Sequence, residues 1–240
     1  MAKRTFNITE SSGEQHPAHA SNKQNKTLIE HAYSLMRHDI INGTLRPDEK
    51  LRVAHLQKTY GVSASTLREA ISRLVSEYLV SAEGQRGYKV SSLDLEELKD
   101  ITELRVLIEV NAVRESVRNS TDAWREQLTI VFHELSKHEQ PINPENSHKW
   151  EALNAQFHQI LCYGKPSPWT KRTLNLLAQH SERYIHLAIK IAQSNRDVHA
   201  EHSTIYEAAM AGNELRAALA IEDHIRATTR YVVNNYKPQT

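Results

Sequence analysis

Three histidines are the residues of this chain best placed for chemistry. His158 lies four residues after Asn154, a spacing that puts both side chains on one helix face, with Leu153, Phe157 and Leu161 flanking them. His202 falls one turn before Ile205-Tyr206, and His224 sits among Leu219, Ile221 and Ile225. Three imidazoles on three helices, each beside an apolar stripe, can converge inside a bundle. Imidazole nitrogens suit Zn²⁺, Ni²⁺ and similar divalent ions. Three of them with one oxygen donor leave coordination positions open for water or a small carboxylate. The same spacings are also met by three separate core histidines bonded to backbone. Of the 14 histidines, His16, His19, His31, His38 and His148 fall in the N-terminal tail or on polar faces.

The elements that must carry this triad are helices. A pattern over roughly Asp94–Arg118 sets Leu98, Ile101, Leu104, Ile108 and Ala112 on one stripe. Further helices are expected at about Asp122–His138, Glu145–Tyr163, Pro168–Ala192, Asp197–Ala211 and Asn213–Asn234. The breaks are Pro141/Pro144, Gly164-Lys165-Pro166, Ser194-Asn195 and Gly212-Asn213. With no strand alternation in this half, six antiparallel helices joined by short loops predict an all-α bundle, an architecture that builds ligand sites in its core.

The stretch Leu51–Val90 has a different grammar. A helix over Val53–Tyr60 turns Val53 and Leu56 inward and ends at Gly61, which is free to take the left-handed stop. Ser63, Ser65 and Thr66 offer hydroxyls for the next helix start, and Thr66-Leu67-Arg68-Glu69 has the form of a capping box. That helix buries Leu67, Ala70, Ile71 and Leu74 and leaves Ser65, Arg68, Glu69, Ser72 and Arg73 outside. Leu79-Val80 and Tyr88-Lys89-Val90 flank a turn-rich Ala82–Gly87. An earlier helix is expected from Thr27, capped through Glu30, burying Leu28, Ala32, Leu35, Met36 and Ile40 and ending at Asn42-Gly43. Helix, tight turn, helix and β-hairpin predict a winged helix-turn-helix, whose second helix enters the DNA major groove. The fold class is therefore mainly α. The expected division is a disordered tail over 1–25, a winged DNA-binding domain over 26–92 and an all-α domain over 93–240, with Ser91-Ser92-Leu93 as a short hinge.

Thirty Lys and Arg against 29 Asp and Glu give a net charge of +1, which by itself hardly points to nucleic-acid binding. The distribution says more: Lys23–Tyr60 is basic and Asp94–Glu109 acidic, which is compatible with a DNA-binding half joined to a more acidic regulatory half, although charge alone is met as well by an uneven solvated surface. Cys162, the lone cysteine, allows no intrachain disulfide and reads as a small apolar core residue in a reducing compartment. The polar Met1–Gln24 lacks a signal core and no apolar run approaches about 18 residues. A cytoplasmic protein with no membrane span is expected.

The order Gly61-Val62-Ser63, Leu67-Arg68-Glu69-Ala70-Ile71, Leu79-Val80 and Gly87-Tyr88-Lys89-Val90, preceded by Ile41–Pro47 and Lys50-Leu51, resembles the N-terminal domain of GntR-family transcription regulators over roughly Thr27–Ser92. Two positions depart from that pattern: Ala64 stands where an arginine is usual before the recognition helix, and Asp48 replaces a glycine after Pro47. Asn154-Ala155-Gln156-Phe157-His158, Glu201-His202 and Asp223-His224-Ile225 resemble the FCD domain of the FadR-type branch, whose divalent-metal site uses an Asp-x-x-x-His pair and two later histidines. Asn154 takes the place of the acidic ligand there, a weaker, neutral donor.

The resemblance implies a ligand-responsive regulator, most often a repressor, which binds a pseudo-palindromic double-stranded operator as a homodimer and senses a small organic acid through the metal. Ser63, Ser65, Thr66 and Arg68 would meet bases or phosphates, Arg73 and Lys89 would position the backbone, and Arg86-Gly87 at the wing tip would lie along the minor groove. A carboxylate effector calls for an arginine anchor. Arg105, in a family-like Leu-Arg…Glu helix, is the first candidate, and Arg183 with the Tyr184 hydroxyl the second. The plain alternatives are an Arg105–Glu109 ion pair within the helix and a surface Arg183. Two other functions compete. One is a metal-dependent helical enzyme, disfavoured by the lack of an H-E-x-x-H helix, a phosphate loop or a carboxylate base beside the histidines. The other is a helical protein-interaction adaptor.

Overall fold

The computed structural model describes residues 17–84, 87–139, 142, 147–165, 167–191 and 196–236, with side chains for all of these except 17–26 and 187–191. Helix α1 spans Pro17–Ile41. It begins ten residues before Thr27, so residues 17–25 of the expected tail are helical and Thr27 lies within the helix instead of capping it. Proline at a first helical position and the Ala-, Gln- and Lys-containing run behind it favour this extension. Its buried face is Ala32, Tyr33, Met36 and Ile40, whereas Leu28 and Leu35, expected inside, are exposed.

Strand β1 (Lys50–Leu51) leads into α2 (Val53–Tyr60), which ends at Gly61 with φ 65°. Helix α3 (Ala64–Ser76) is capped by Ser63, whose hydroxyl accepts from the Thr66 N–H at 3.2 Å. Ser63 is thus the cap, and Thr66 sits in the first turn instead of opening the capping box read from sequence. A cap of this kind contributes about 1 kcal/mol. Strands β2 (Val80–Ala82) and β3 (Tyr88–Val90) complete an antiparallel sheet of order β1-β3-β2, with Leu51 opposite Tyr88 and Val80 opposite Val90. The third strand, β1, carries too short a pattern to read from sequence. Asp48 takes φ 66°, the left-handed conformation that a glycine would hold there. Asp reaches that region more readily than most residues. A core of Leu56, Leu67, Ala70, Ile71, Leu74, Leu79 and Val90, packed on the buried face of α1, closes the domain.

The remaining described helices are α4 (Leu95–Arg118), α5 (Asp122–Ser136), α6 (Ser147–Cys162), α7 (Pro168–Ile191), α8 (Val198–Met210) and α9 (Glu214–Asn235). Side-chain caps at Asp94, Thr121, Asp197 and Asn213 start four of them. Helices α4 and α9 run antiparallel, tied by a Glu103–Arg226 ion pair (3.0 Å) within their lengths and a Glu214–Arg118 pair (2.8 Å) at one end. The buried face of α4 includes Leu98, Ile101, Val106, Ala112 and Val113. Leu104, placed on the apolar stripe by its spacing, is 50% exposed. The bundle core gathers Leu128, Leu135, Phe157, Leu161, Ile205 and Ile221, with Cys162 buried among them. At Gly164 the α6–α7 loop passes so close to α4 and α5 that a Cβ would meet Ser116 Cβ and Trp124 Nε1 at 2.9 Å each. No helix among the described residues is long and apolar enough to cross a membrane.

Candidate functional site

Helix α6 carries His158 beside the buried Phe157 and Leu161, α8 carries His202 one turn before the buried Ile205, and α9 carries His224 between the buried Ile221 and Ile225. The apolar stripes turn all three imidazoles inward, where one nitrogen of each lies within 4.8 Å of the others. The ring centroids stand 4.6 Å (His202–His224), 5.1 Å (His158–His224) and 6.0 Å (His158–His202) apart. Nitrogens sharing one transition-metal ion lie roughly 3–4 Å apart, so side-chain shifts of about an ångström would close the set.

Each imidazole is backed by a carboxylate. The Nδ1 of His202 bonds to Glu139, that of His224 lies 2.8 Å from Glu201, and that of His158 lies 3.5 Å from Glu109. For His202 and His224 the carboxylate bonded at Nδ1 fixes the ring orientation and leaves Nε2 as the ligating nitrogen, the usual surrounding of a metal-bound histidine, whereas His158 Nδ1 approaches Glu109 without a hydrogen bond. The Nε2 of His202 and the Oδ1 of Asn154 are buried without a hydrogen-bond partner. Buried polar atoms rarely remain so, and Asn154 stands one turn before His158 on the same helix. This donor set, three imidazoles and an amide oxygen, fits a divalent transition metal.

The electrostatics favour the ligating forms. Burial pushes the pKa of His158 down, against the pull of Glu109. Burial and the neighbouring His202 and His158 push that of His224 well down, so these rings stay neutral and keep a lone pair. Burial alone would raise Glu109, but Arg105 and His158 overcome it and hold its carboxyl at about 2. Glu139 is likewise lowered against burial by His202 and His199, each of which bonds one of its oxygens.

Arg105 sits in this environment. Its Nε donates to Glu109 Oε1 at 2.6 Å in a nearly buried pair, so the intrahelical ion pair is present. Among the described residues its two terminal nitrogens make no hydrogen bond. Arg183 and Tyr184, the second pair of candidate anchors, bond to backbone instead of lying on the surface. Both are buried, Arg183 donating to the Ser91 carbonyl and the Tyr184 hydroxyl pairing with the Asp94 backbone. Helical spacing placed them on α7 but could not say which way that helix faces. Ser91, read as hinge, is held to the wing by its N–H to Leu79 and its hydroxyl to Tyr78.

On the winged domain Ser63, Ser65 and Arg68 lie exposed at the start of α3. The Ser63 and Ser65 hydroxyls stand 2.9 Å apart, and Arg68 makes no ion pair among the described residues. Thr66 is buried, with its hydroxyl 2.9 Å from that of Ser63, so it serves the cap instead of facing outward. Arg73 pairs with Glu30 at 2.6 Å and lies over the Tyr33 ring. Lys89 pairs with Asp48 and Glu83. Both cations therefore meet acids of their own domain. Gly87 is exposed with φ 95°, and Arg86 lies outside the described residues.

Sequence reasoning missed Glu139 and the Arg196–Glu201 pair behind His224. Glu139 follows the end of α5, where no periodicity marks a functional face. Arg196 lies in the loop before α8.

A winged helix-turn-helix joined to a helical bundle is the architecture of a DNA-binding transcription regulator. Residues 28–90 match the bacterial regulatory proteins of the gntR family, and residues 100–227 match the FCD domain. The chain is 32% identical over 210 residues to an uncharacterized HTH-type transcriptional regulator, BphR of Paraburkholderia xenovorans, covering 86% of each chain. It is 30% identical over 198 residues to the HTH-type transcriptional repressor GlaR of Escherichia coli, covering 80% of this chain and 90% of GlaR. The solved structure of E. coli McbR/YncC superposes with a TM-score of 0.74 over 88% of this chain and 99% of that one, at 18% identity, a likeness of fold. The chain belongs to the GntR family of transcription regulators, in the branch that carries an FCD domain.

Proposed function

We propose that this protein is a ligand-responsive repressor, a cytoplasmic homodimer that senses a small organic acid through a divalent transition metal held by His158, His202, His224 and Asn154. The observation that carries the reading is the triad itself, with three inward imidazoles within 4.8 Å and a carboxylate behind each. Bound there, the ion would offer open coordination positions to a ligand carboxylate. Arg105, with its terminal nitrogens uncommitted, supplies a two-pronged second anchor. The repressor role draws on the likeness to GlaR.

Dimerisation is supported by Leu104 and Leu107 on α4 and Leu215 and Leu219 on α9, all at least half exposed on one helix pair. Exposed apolar clusters of this kind mark association surfaces. A two-fold dimer would set two α3 helices on half-sites roughly 10 bp apart, or a multiple of that.

Thermal melting with Zn²⁺ or Ni²⁺ and a panel of C4–C6 mono- and dicarboxylates, with and without chelator, tests the sensor. An acid at 100 times its dissociation constant should add about 2.7 kcal/mol, and chelator should abolish the gain. Stabilisation that survives chelator, or none from any acid, refutes metal-dependent sensing. Leu107→Asp with Leu219→Asp should sediment as a monomer. A variant that remains dimeric places the interface elsewhere.

A further inference from the structure

We propose that α7 sets the recognition helix in place against the bundle, with His180, Arg183 and Tyr184 as positioning residues for DNA binding. This inference rests on the regulator reading and adds the element that joins its two halves. The three residues fall at spacings of three and four, on neighbouring turns of one helix, and all are buried. Each bonds to backbone. The His180 Nε2–H donates to the Glu77 carbonyl at 2.8 Å, and Glu77 is the C-cap of α3. Arg183 Nη2 donates to the carbonyl of Ser91, the residue after β3. The Tyr184 hydroxyl accepts from the Asp94 N–H at 3.0 Å and donates to the Asp94 carbonyl at 2.8 Å, gripping the N-cap of α4. One helix therefore holds the end of the recognition helix, the exit of the wing and the start of the helix that bears Arg105 and Glu109.

The same helix reaches toward the triad. His186, on the turn after Glu182, places Nδ1 2.8 Å from Glu151 Oε1 on α6, three residues before Asn154 and seven before His158. Glu182 stands 3.9 Å from Arg37 on α1. Bonds to backbone atoms fix where a segment sits without adding to what it reads. In a dimer the angle of the winged domain to the bundle sets the distance between the two α3 helices, so α7 controls half-site spacing while Arg68 and its neighbours read sequence.

Selection from a randomised duplex DNA pool, with the full chain, tests this without knowledge of the effector. Wild type and the double variant His180→Ala/Tyr184→Phe are compared, with Tyr184→Phe alone as a near-isosteric control should the double variant melt early. The variant is expected to select the wild-type half-site sequence over a spread of spacings, and to bind the wild-type consensus about tenfold more weakly, in line with the loss of one or two buried hydrogen bonds. His180→Gln, which keeps an N–H for the Glu77 carbonyl, should narrow the spacing again. A folded variant that selects the wild-type spacing at wild-type affinity overturns the proposal. One that loses the half-site sequence as well does the same, because it reports damage inside the winged domain. A wild type that selects no DNA refutes the regulator reading itself, a result distinct from failure of the clasp.

Discussion

Asn154→Asp should act in opposite directions on the metal-free and metal-loaded protein. Asn154 Oδ1 is already buried without a partner, one turn before His158 on α6. Replacing the amide by a carboxylate buries an anion at a position where the amide oxygen already finds no hydrogen-bond donor. An uncompensated buried charge costs at least about 2–3 kcal/mol, and for a chain of this size each kcal/mol lowers Tm by about 2–4 °C. The metal-free variant should therefore melt about 5–10 °C below wild type. Once a divalent ion is supplied the sign reverses, because the anionic oxygen becomes a stronger ligand than the neutral amide. Zinc should bind at least tenfold more tightly, a gain of about 1.4 kcal/mol. Thermal melts in chelator and in excess Zn²⁺, with calorimetric titration of the metal, measure both arms. A variant that melts with wild type in chelator and binds zinc no better would falsify the placement of Asn154 in the donor set.

Glu139→Gln removes the charge behind His202 while keeping an oxygen acceptor, and should weaken metal binding by about 10- to 100-fold in calorimetric titration. Unchanged affinity would show that Glu139 does not tune the site. Arg68→Ala should cost about 1–3 kcal/mol of operator affinity, read by fluorescence anisotropy, and leave the zinc-induced Tm shift intact. Normal operator binding would move the recognition surface away from α3. Gly164→Ala would drive a methyl into Ser116 and Trp124 and should lower stability by about 1–3 kcal/mol. The urea midpoint should fall at constant m; an unchanged midpoint would mean that the α6–α7 loop has room to retreat.

The amino-acid sequence by itself determined the local structure of this protein and the residue types of its histidine triad. Gly61, Ser63 and the Leu67/Ala70/Ile71/Leu74 stripe specify helix, turn and recognition helix, because caps and periodicity act within one or two turns of chain. The helices of the bundle follow for the same reason, and His158, His202 and His224 stand out because each lies beside an apolar stripe on a different helix. Periodicity, however, names a face without naming its neighbour. Leu104 and Leu35 satisfy the helical spacing yet lie exposed, because α4 and α1 turn a slightly rotated stripe toward their partners. Glu139, in a loop with no period, becomes the carboxylate behind His202 only when α5 and α8 pack together. Arg183 and Tyr184 have the chemistry of ligand anchors, and the packing of α7 spends their donors on backbone between the domains. Which side chains meet across 40 to 100 residues of sequence is decided by how helices dock. Only the tertiary structure contains that information.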